Sequence, residues 1–128
     1  MKERYSKAIL SIGCTLAVLA LMAGAIGSHM VEEGLAREAF KTASTYHFYA
    51  SLAIVIGAIC SMLWQSSIWL PSFGFALIGI ACFSGSLYLK SLGITDAAPL
   101  GPVGGLCIMA SWGLIALAVI GGRNPTRN

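Results

Sequence analysis

Apolar residues form four long runs along the chain, and each run is free of Asp, Glu, Lys and Arg. The runs cover residues 8–27, 46–64, 68–89 and 102–120. A helix of about 20 residues crosses a hydrocarbon core roughly 30 Å thick, and each run comes close to that length. Backbone polar groups inside lipid need internal hydrogen bonds, so the runs predict helices. We therefore expect an all-α polytopic membrane protein built as an antiparallel four-helix transmembrane bundle.

The connection between the first and second spans, residues 28–45, is the longest and the most charged. Val31, Leu35, Ala39 and Ala43 recur in it at helical spacing, while most of the charged residues fall on other faces. This pattern favours a short amphipathic helix that lies on the outer membrane surface. A solvated loop with a single helical turn is the alternative.

The second connection is short and uncharged. Trp64 and Trp69 flank its polar turn, and Pro71 stands where a proline in the first helical turn is tolerated. The second and third spans are therefore predicted to form a tight hairpin with the two tryptophans as interfacial anchors. The third connection, residues 91–101, contains glycine and proline and is predicted to be a loop rich in turns.

Composition indicates that lipid is the main solvent of this chain. Of its 128 residues, 57% are hydrophobic and 10% are charged, whereas typical soluble domains carry about 25% charged residues. Mean hydropathy is +0.81. The four runs leave no length for a soluble domain, so we expect one integral membrane domain over residues 1–128 and no nucleic-acid partner. The basic start resembles a signal peptide, but its apolar run is longer than a signal core, so we expect an uncleaved helix.

The basic residues favour an orientation with both termini in the cytoplasm. That orientation places five basic residues inside and three outside, in the direction of the positive-inside rule. The inside residues are Lys2, Arg4, Lys7, Arg123 and Arg127, and the outside residues are Arg37, Lys41 and Lys90.

Each span carries small residues at helical spacing. Because lipid is as apolar as leucine, membrane helices associate by close approach at such positions. The predicted packing positions are Ala20, Gly24, Ser28, Ala53, Gly57, Ser61, Ala81, Gly85, Gly101 and Gly105. Every helix has a face of small residues, which is more than the contacts inside one four-helix core require. This pattern predicts a homo-oligomer or a larger membrane protein complex.

Five polar side chains fall at the predicted outer end of the bundle: His29, His47, Ser84, Ser86 and Tyr88. Ser84 and Tyr88 are four residues apart and share a helix face, so a hydrogen-bonded cluster with histidine is geometrically feasible. One interpretation is a small polar pocket that titrates near neutral pH. The other is hydrogen bonding between helices together with interfacial Tyr and His.

The sequence does not favour metal or enzyme chemistry. Two histidines fall short of the three or four protein ligands of a zinc site. The four cysteines fall one per span without a CxxC pair, which favours thiols that pack as small hydrophobes. Neither GxSxG nor HExxH occurs, and the spans hold no carboxylate for proton-coupled transport. We expect no metal, no cofactor and no enzymatic activity.

Four motifs, in order along the chain, resemble a known family. They are GAIGSH at 24–29, TASTYHFYASLAI at 42–54, CFSGSLYLKSLG at 82–93 and LGPVGGL at 100–106. Together with Trp112 they resemble the small four-span proteins of the domain-of-unknown-function 423 family, also called the transmembrane protein 256 family. The resemblance covers nearly the whole chain. It implies a four-span fold and a location in the membrane, which we expect to be the bacterial inner membrane, and it assigns no activity.

The expected function is that of an uncharacterised multi-pass membrane protein acting as a non-enzymatic structural or accessory component of a membrane assembly. The alternative is a small channel, carrier or lipid-binding protein for neutral solutes or lipids, with the polar cluster as its outer vestibule. A continuous polar cavity from Ser84 to the cytoplasmic side would favour transport, and a dry core would argue against it.

Overall fold

The computed structural model describes residues 3–94 and 99–126. In these ranges lie the helices α1 (Glu3–His29), α2 (Leu35–Leu63), α3 (Trp69–Ser91) and α4 (Leu100–Gly121). All four are long and apolar enough to cross a membrane, which confirms the predicted all-α, four-span architecture. Lys2 and Arg127 of the predicted charge bias, and residues 95–98 of the third connection, lie outside the described ranges.

The predicted surface helix is not a separate element. Leu35–Leu63 is one continuous helix, so Leu35, Ala39 and Ala43 belong to its first turns. Residues 35–46 contain no glycine or proline that would end a helix before the apolar span begins. The chain instead turns directly before α2 at Gly34, whose φ of +117° is a conformation that favours glycine.

The helices pack in chain order. Among the described elements, α1 contacts α2 alone, α2 also contacts α3 and α4, and α3 lies between α2 and α4. At one end of the bundle, Ser6 of α1 and Ser61 of α2 lie 2.8 Å apart between their hydroxyl oxygens. At the same end, the backbones of Gln65 and Arg123 exchange two hydrogen bonds of 2.8 and 3.0 Å. The start of α1 and the end of α4 therefore share one end of the bundle with the α2–α3 turn.

An apolar core fills the half of the bundle nearest the α2–α3 turn. Its buried side chains are Ala53, Ile54, Ala58, Trp69, Phe73, Ala76, Ile115 and Ala118. The prediction that Trp69 is an interfacial anchor is wrong, because this side chain is fully buried. Its indole N–H donates to the Trp64 carbonyl at 2.8 Å, and an indole satisfied in this way can enter an apolar core.

Small residues at every seventh position allow α1 to approach α2 closely. The buried residues of α1 are Ser6, Gly13, Ala20 and Gly27. A seven-residue period is typical of helix pairs that wind around each other with a left-handed sense. An added Cβ at Gly13 would lie 2.9 Å from the Ile54 side chain, and one at Gly27 would lie 2.5 Å from Phe40.

Helix α3 contains one wide turn. Ile80–Ser84 has π-helical geometry, in which the Gly85 N–H donates to the carbonyl of Ile80. On the α4 side, Gly104 lies directly against the backbone of Phe83 in this turn, where a side chain would overlap the Phe83 nitrogen. The wide turn therefore forms part of the closest contact between α3 and α4.

Candidate functional site

Helices α2 and α3 bring His47 and Tyr88 together in the half of the bundle away from the apolar core. The His47 Nδ1 atom lies 3.2 Å from the Tyr88 hydroxyl oxygen. The ring of Tyr88 also meets Phe40 edge-on, with centroids 4.9 Å apart. Phe40, Ser44, His47 and Ser51 recur at steps of three and four residues and are all buried. The helical period that builds the core therefore also points His47 inward.

Two buried polar atoms on this side of the molecule make no hydrogen bond within the described residues, His47 Nε2 and Ser84 Oγ. Helices α2 and α3 run antiparallel, so the turn from Tyr88 back to Ser84 runs beside the turn from His47 to Ser51. Ser51 is satisfied because its hydroxyl donates to the His47 carbonyl at 2.7 Å. For Ser84 the corresponding carbonyl four residues earlier is that of Ile80, which in the wide turn accepts from the Gly85 N–H, one residue further along than in an α-helix.

The other predicted cluster residues lie in different surroundings. His29 is exposed at the last turn of α1. Ser86 is buried, but its hydroxyl donates to the Phe83 carbonyl of its own helix at 2.9 Å. The structure thus joins His47 to Tyr88 and places Ser84 one turn away on the same helix as Tyr88. It leaves His29 at the surface.

The ten predicted packing positions divide into two groups. Six are buried or border a side chain of another helix: Ala20, Gly24, Ala53, Gly57, Ser61 and Gly105. The remaining four are exposed or have nothing from another helix beside them: Ser28, Ala81, Gly85 and Gly101. Among the three glycines of this group, Gly57 is the tightest position, because an added Cβ would lie 2.8 Å from the Phe73 ring.

Several of the closest helix contacts lie at positions that are not among the predicted packing residues. At Gly79 of α3, an added Cβ would lie 2.5 Å from Ile108 and 3.1 Å from the Gly104 carbonyl oxygen. Gly13 of α1 was also missed, although the seven-residue spacing of small residues would have revealed it. For Gly104 the sequence offers no such signal, since Gly101 and Gly105 stand in the same short glycine-rich stretch.

The chemistry available to these polar groups is limited. In the described ranges, no three His, Cys, Asp or Glu side chains lie close enough to share a metal ion. The cysteines are free thiols, one on each helix. Several buried hydroxyls donate to carbonyl groups of their own helix, namely those of Ser51, Ser61, Ser72 and Ser86. Either side chain of the His47–Tyr88 pair can donate the hydrogen bond. The imidazole tautomer decides whether His47 Nδ1 donates to the Tyr88 hydroxyl or accepts from it.

These features define a multi-pass α-helical membrane protein with a partly buried His–Tyr pair between two of its spans. The family described as "Protein of unknown function (DUF423)" matches residues 23–105. The chain belongs to this family, which confirms the resemblance drawn from the four motifs.

Relatives of known sequence support the same assignment. The "UPF0382 membrane protein YwdK" of Bacillus subtilis is 30% identical over 121 residues, which cover 89% of this chain and 97% of that protein. A "UPF0382 membrane protein" of Staphylococcus epidermidis is 29% identical over 124 residues, covering 89% of this chain and 96% of the relative. A third, from Staphylococcus saprophyticus, is 30% identical over 119 residues. No solved structure matches this chain at comparable significance.

Proposed function

We propose that this chain is a non-enzymatic component of a membrane assembly and that it associates with a second copy of itself through the outer face of α1. The observation that carries the proposal is the isolation of α1, which contacts only α2 within the described residues. Most of its surface is therefore left for lipid or for another protein.

The outer face of α1 has the chemistry of a helix contact. Ser11, Thr15, Val18 and Met22 recur at steps of three and four residues on the side opposite the small residues that meet α2. The Thr15 hydroxyl donates to the Ser11 carbonyl, whereas the Ser11 hydroxyl has no hydrogen-bond partner in the described part of the chain. A hydroxyl in hydrocarbon gains about 0.6 kcal/mol on average when it bonds to a neighbouring helix.

The orientation and location are part of the same proposal. We place both termini in the cytoplasm of a bacterial inner membrane, with the whole chain as one integral membrane domain. Support comes from the bacterial relatives, which are membrane proteins. The shared end that holds Ser6, Gln65 and Arg123 also carries Arg4 and Lys7, in agreement with the positive-inside rule.

Cysteine crosslinking tests the proposed contact. The four native cysteines are replaced by alanine, and Val18→Cys is introduced on the outer face of α1, where the native side chain is 54% exposed. Two copies that meet through α1 bring these thiols together, so oxidation of native membranes should give a disulfide-linked dimer, measured on a non-reducing gel.

The matched control is Leu117→Cys in the same cysteine-free chain. Leu117 lies on the outer side of α4 and is 57% exposed, an exposure close to that of Val18. The proposal predicts a dimer for Val18→Cys and little or none for Leu117→Cys. Equal yields from both variants, or a strict monomer by native mass spectrometry in mild detergent, would contradict it.

A small channel or carrier for neutral solutes is the second candidate, and one observation favours it. Ser84 Oγ and His47 Nε2 are buried without partners, as groups that line a polar vestibule are before a solute binds. Against this, the apolar side chains of Ile54, Trp69 and Phe73 fill the interior between that site and the opposite end. A dry apolar barrier opposes a polar path, so we retain the assembly role as the proposed function.

A further inference from the structure

A groove runs along one side of the molecule between α1 and α3, whose described residues have no Cα atoms within 8 Å of each other. Its inner part is a hollow of about 280 Å³ lined by Ile9, Ile12, Ile54, Leu70, Phe73, Gly74 and Leu77. Its outer part is a hollow of about 410 Å³ that shares Ile9 and Leu70 with the first. The two hollows therefore adjoin and form one groove whose size is that of a small-molecule site, roughly 300–1,000 Å³.

The groove exists because α2 separates its two walls. Ile54 of α2, almost fully buried, contributes to the lining, and α1 and α3 rise on either side of it. Gly74 of α3 faces open space in the groove, because a Cβ added at this position would have no atom within 4 Å. Ile9, Phe73 and Leu77 all fall within apolar runs long enough to span a membrane, so the groove opens sideways toward lipid.

The polarity of the groove changes along its length. The inner part is lined entirely by apolar residues, whereas the outer part adds the hydroxyl-bearing residues Tyr5, Ser66 and Ser67. An apolar channel that ends in hydroxyl groups at one end of the bundle matches a molecule with a hydrocarbon tail and a polar head.

The end of the bundle that holds the hydroxyl-bearing part of the groove carries basic residues, which favour an anionic head. Arg4 is next to Tyr5 in the first turns of α1, and the backbone of Arg123 pairs with Gln65, next to Ser66. Lys7 is also at this end, where it forms an ion pair of 2.7 Å with Glu3. Arg4 and Arg123 have no ion pair with the described residues, so they are available to a phosphate group.

We propose that this groove binds one anionic glycerophospholipid of the surrounding bilayer, with an acyl chain between α1 and α3 and its phosphate beside Arg4 and Arg123. The apolar groove that would hold the acyl chain is distinct from the outer face of α1 that carries the proposed self-association. The lipid would fill the space that separates α1 from α3 and so complete the packing of the bundle.

Native mass spectrometry of the full-length protein tests this proposal. The delipidated protein in mild detergent is titrated with phosphatidylglycerol, or with phosphatidylcholine of the same acyl chains. Gly74→Leu fills the inner groove. Its control is Gly113→Leu, because an added Cβ at Gly113 of α4 also has no atom within 4 Å. Circular dichroism verifies that both variants keep the helical content of the native chain.

The native protein and Gly113→Leu should each retain one tightly bound phosphatidylglycerol. Gly74→Leu should bind it at least about tenfold more weakly, the loss that follows when two buried methylene groups are displaced. If Gly74→Leu fails to fold, Leu77→Trp narrows the same groove from a position that is already 46% exposed. Unchanged phosphatidylglycerol binding by the groove-filling variant would overturn the proposal. So would a groove-filling variant that loses a protein dimer but still binds the lipid.

A second pair of variants tests the position of the phosphate. Arg4→Gln removes a basic group at the end of the bundle that holds the hydroxyl-bearing part of the groove, and Lys41→Gln removes an exposed one near the opposite end. The preference for phosphatidylglycerol over phosphatidylcholine should fall in Arg4→Gln and persist in Lys41→Gln. Equal binding of the two lipids by the native protein, or equal effects of the two substitutions, would contradict the assignment of an anionic lipid.

Discussion

At the scale of single residues, the contact between His47 and Tyr88 distinguishes the half of the bundle away from the α2–α3 turn from the apolar core. The two side chains share one hydrogen bond, and the second imidazole nitrogen is buried without a partner. Hydrogen bonds between membrane helices contribute on the order of 0.6 kcal/mol and at most about 1.7. The pair is therefore expected to fix the register of α2 against α3 more than to supply a large part of the stability.

A double-mutant cycle on this pair measures its contribution. Tyr88→Phe and His47→Leu should each destabilise the protein, and their coupling energy should be about 0.5–1.5 kcal/mol, because each removes the same hydrogen bond. Unfolding in mixed micelles, followed by circular dichroism, gives the free energies. Tyr49→Phe is the control, since Tyr49 is 48% exposed and its loss should cost no more than about 0.5 kcal/mol. A coupling energy near zero would show that the contact is not formed.

At the scale of helices, hydropathy predicts the spans well and the packing details poorly. Charge-free runs near 20 residues locate all four helices because the cost of a charge in hydrocarbon is large and local in sequence. The wide turn at Ile80–Ser84 leaves no such trace, because a π-helical turn changes the hydrogen-bond pattern and not the hydropathy. The start of α2 at Leu35 was likewise missed, since a polar first segment and an apolar span can share one helix.

The contact between α3 and α4 gives a prediction at this scale. Gly104→Ala would place a methyl group against the Phe83 backbone, where an extra methyl should destabilise the bundle by about 1–3 kcal/mol. Gly113→Ala in the same helix meets no atom and should instead stabilise it by roughly 0.5–1 kcal/mol through helix propensity. Thermal unfolding in detergent checks both variants. A similar response to the two substitutions would mean that α4 does not approach α3 at Gly104.

At the scale of the whole molecule, the helices pack in the order in which they follow along the chain, and α1 lies at the edge of the bundle beside α2 alone. Ser61 donates to its own helix at Ala58, so Ser6 is the donor in the hydroxyl contact that joins α1 to α2. The position of α1 was beyond sequence analysis, because four antiparallel spans with short connections can pack in more than one arrangement. Because α1 is separated from α3, a groove lies between them, and this groove is the proposed lipid site. The outer face of α1 also stays free, and this face is the proposed site of self-association.

The central claim is that four antiparallel helices cross the membrane, and thiol labelling of single-cysteine variants tests it most directly. The native cysteines are replaced by alanine, and Glu3→Cys, Glu33→Cys, Ser67→Cys and Thr126→Cys are made one at a time. An impermeant maleimide is applied to intact cells and to inverted membrane vesicles. If the four helices cross as described, Glu33→Cys should react in intact cells and the other three variants should react in inverted vesicles. Reaction of Glu33→Cys on the same side as Ser67→Cys would contradict it.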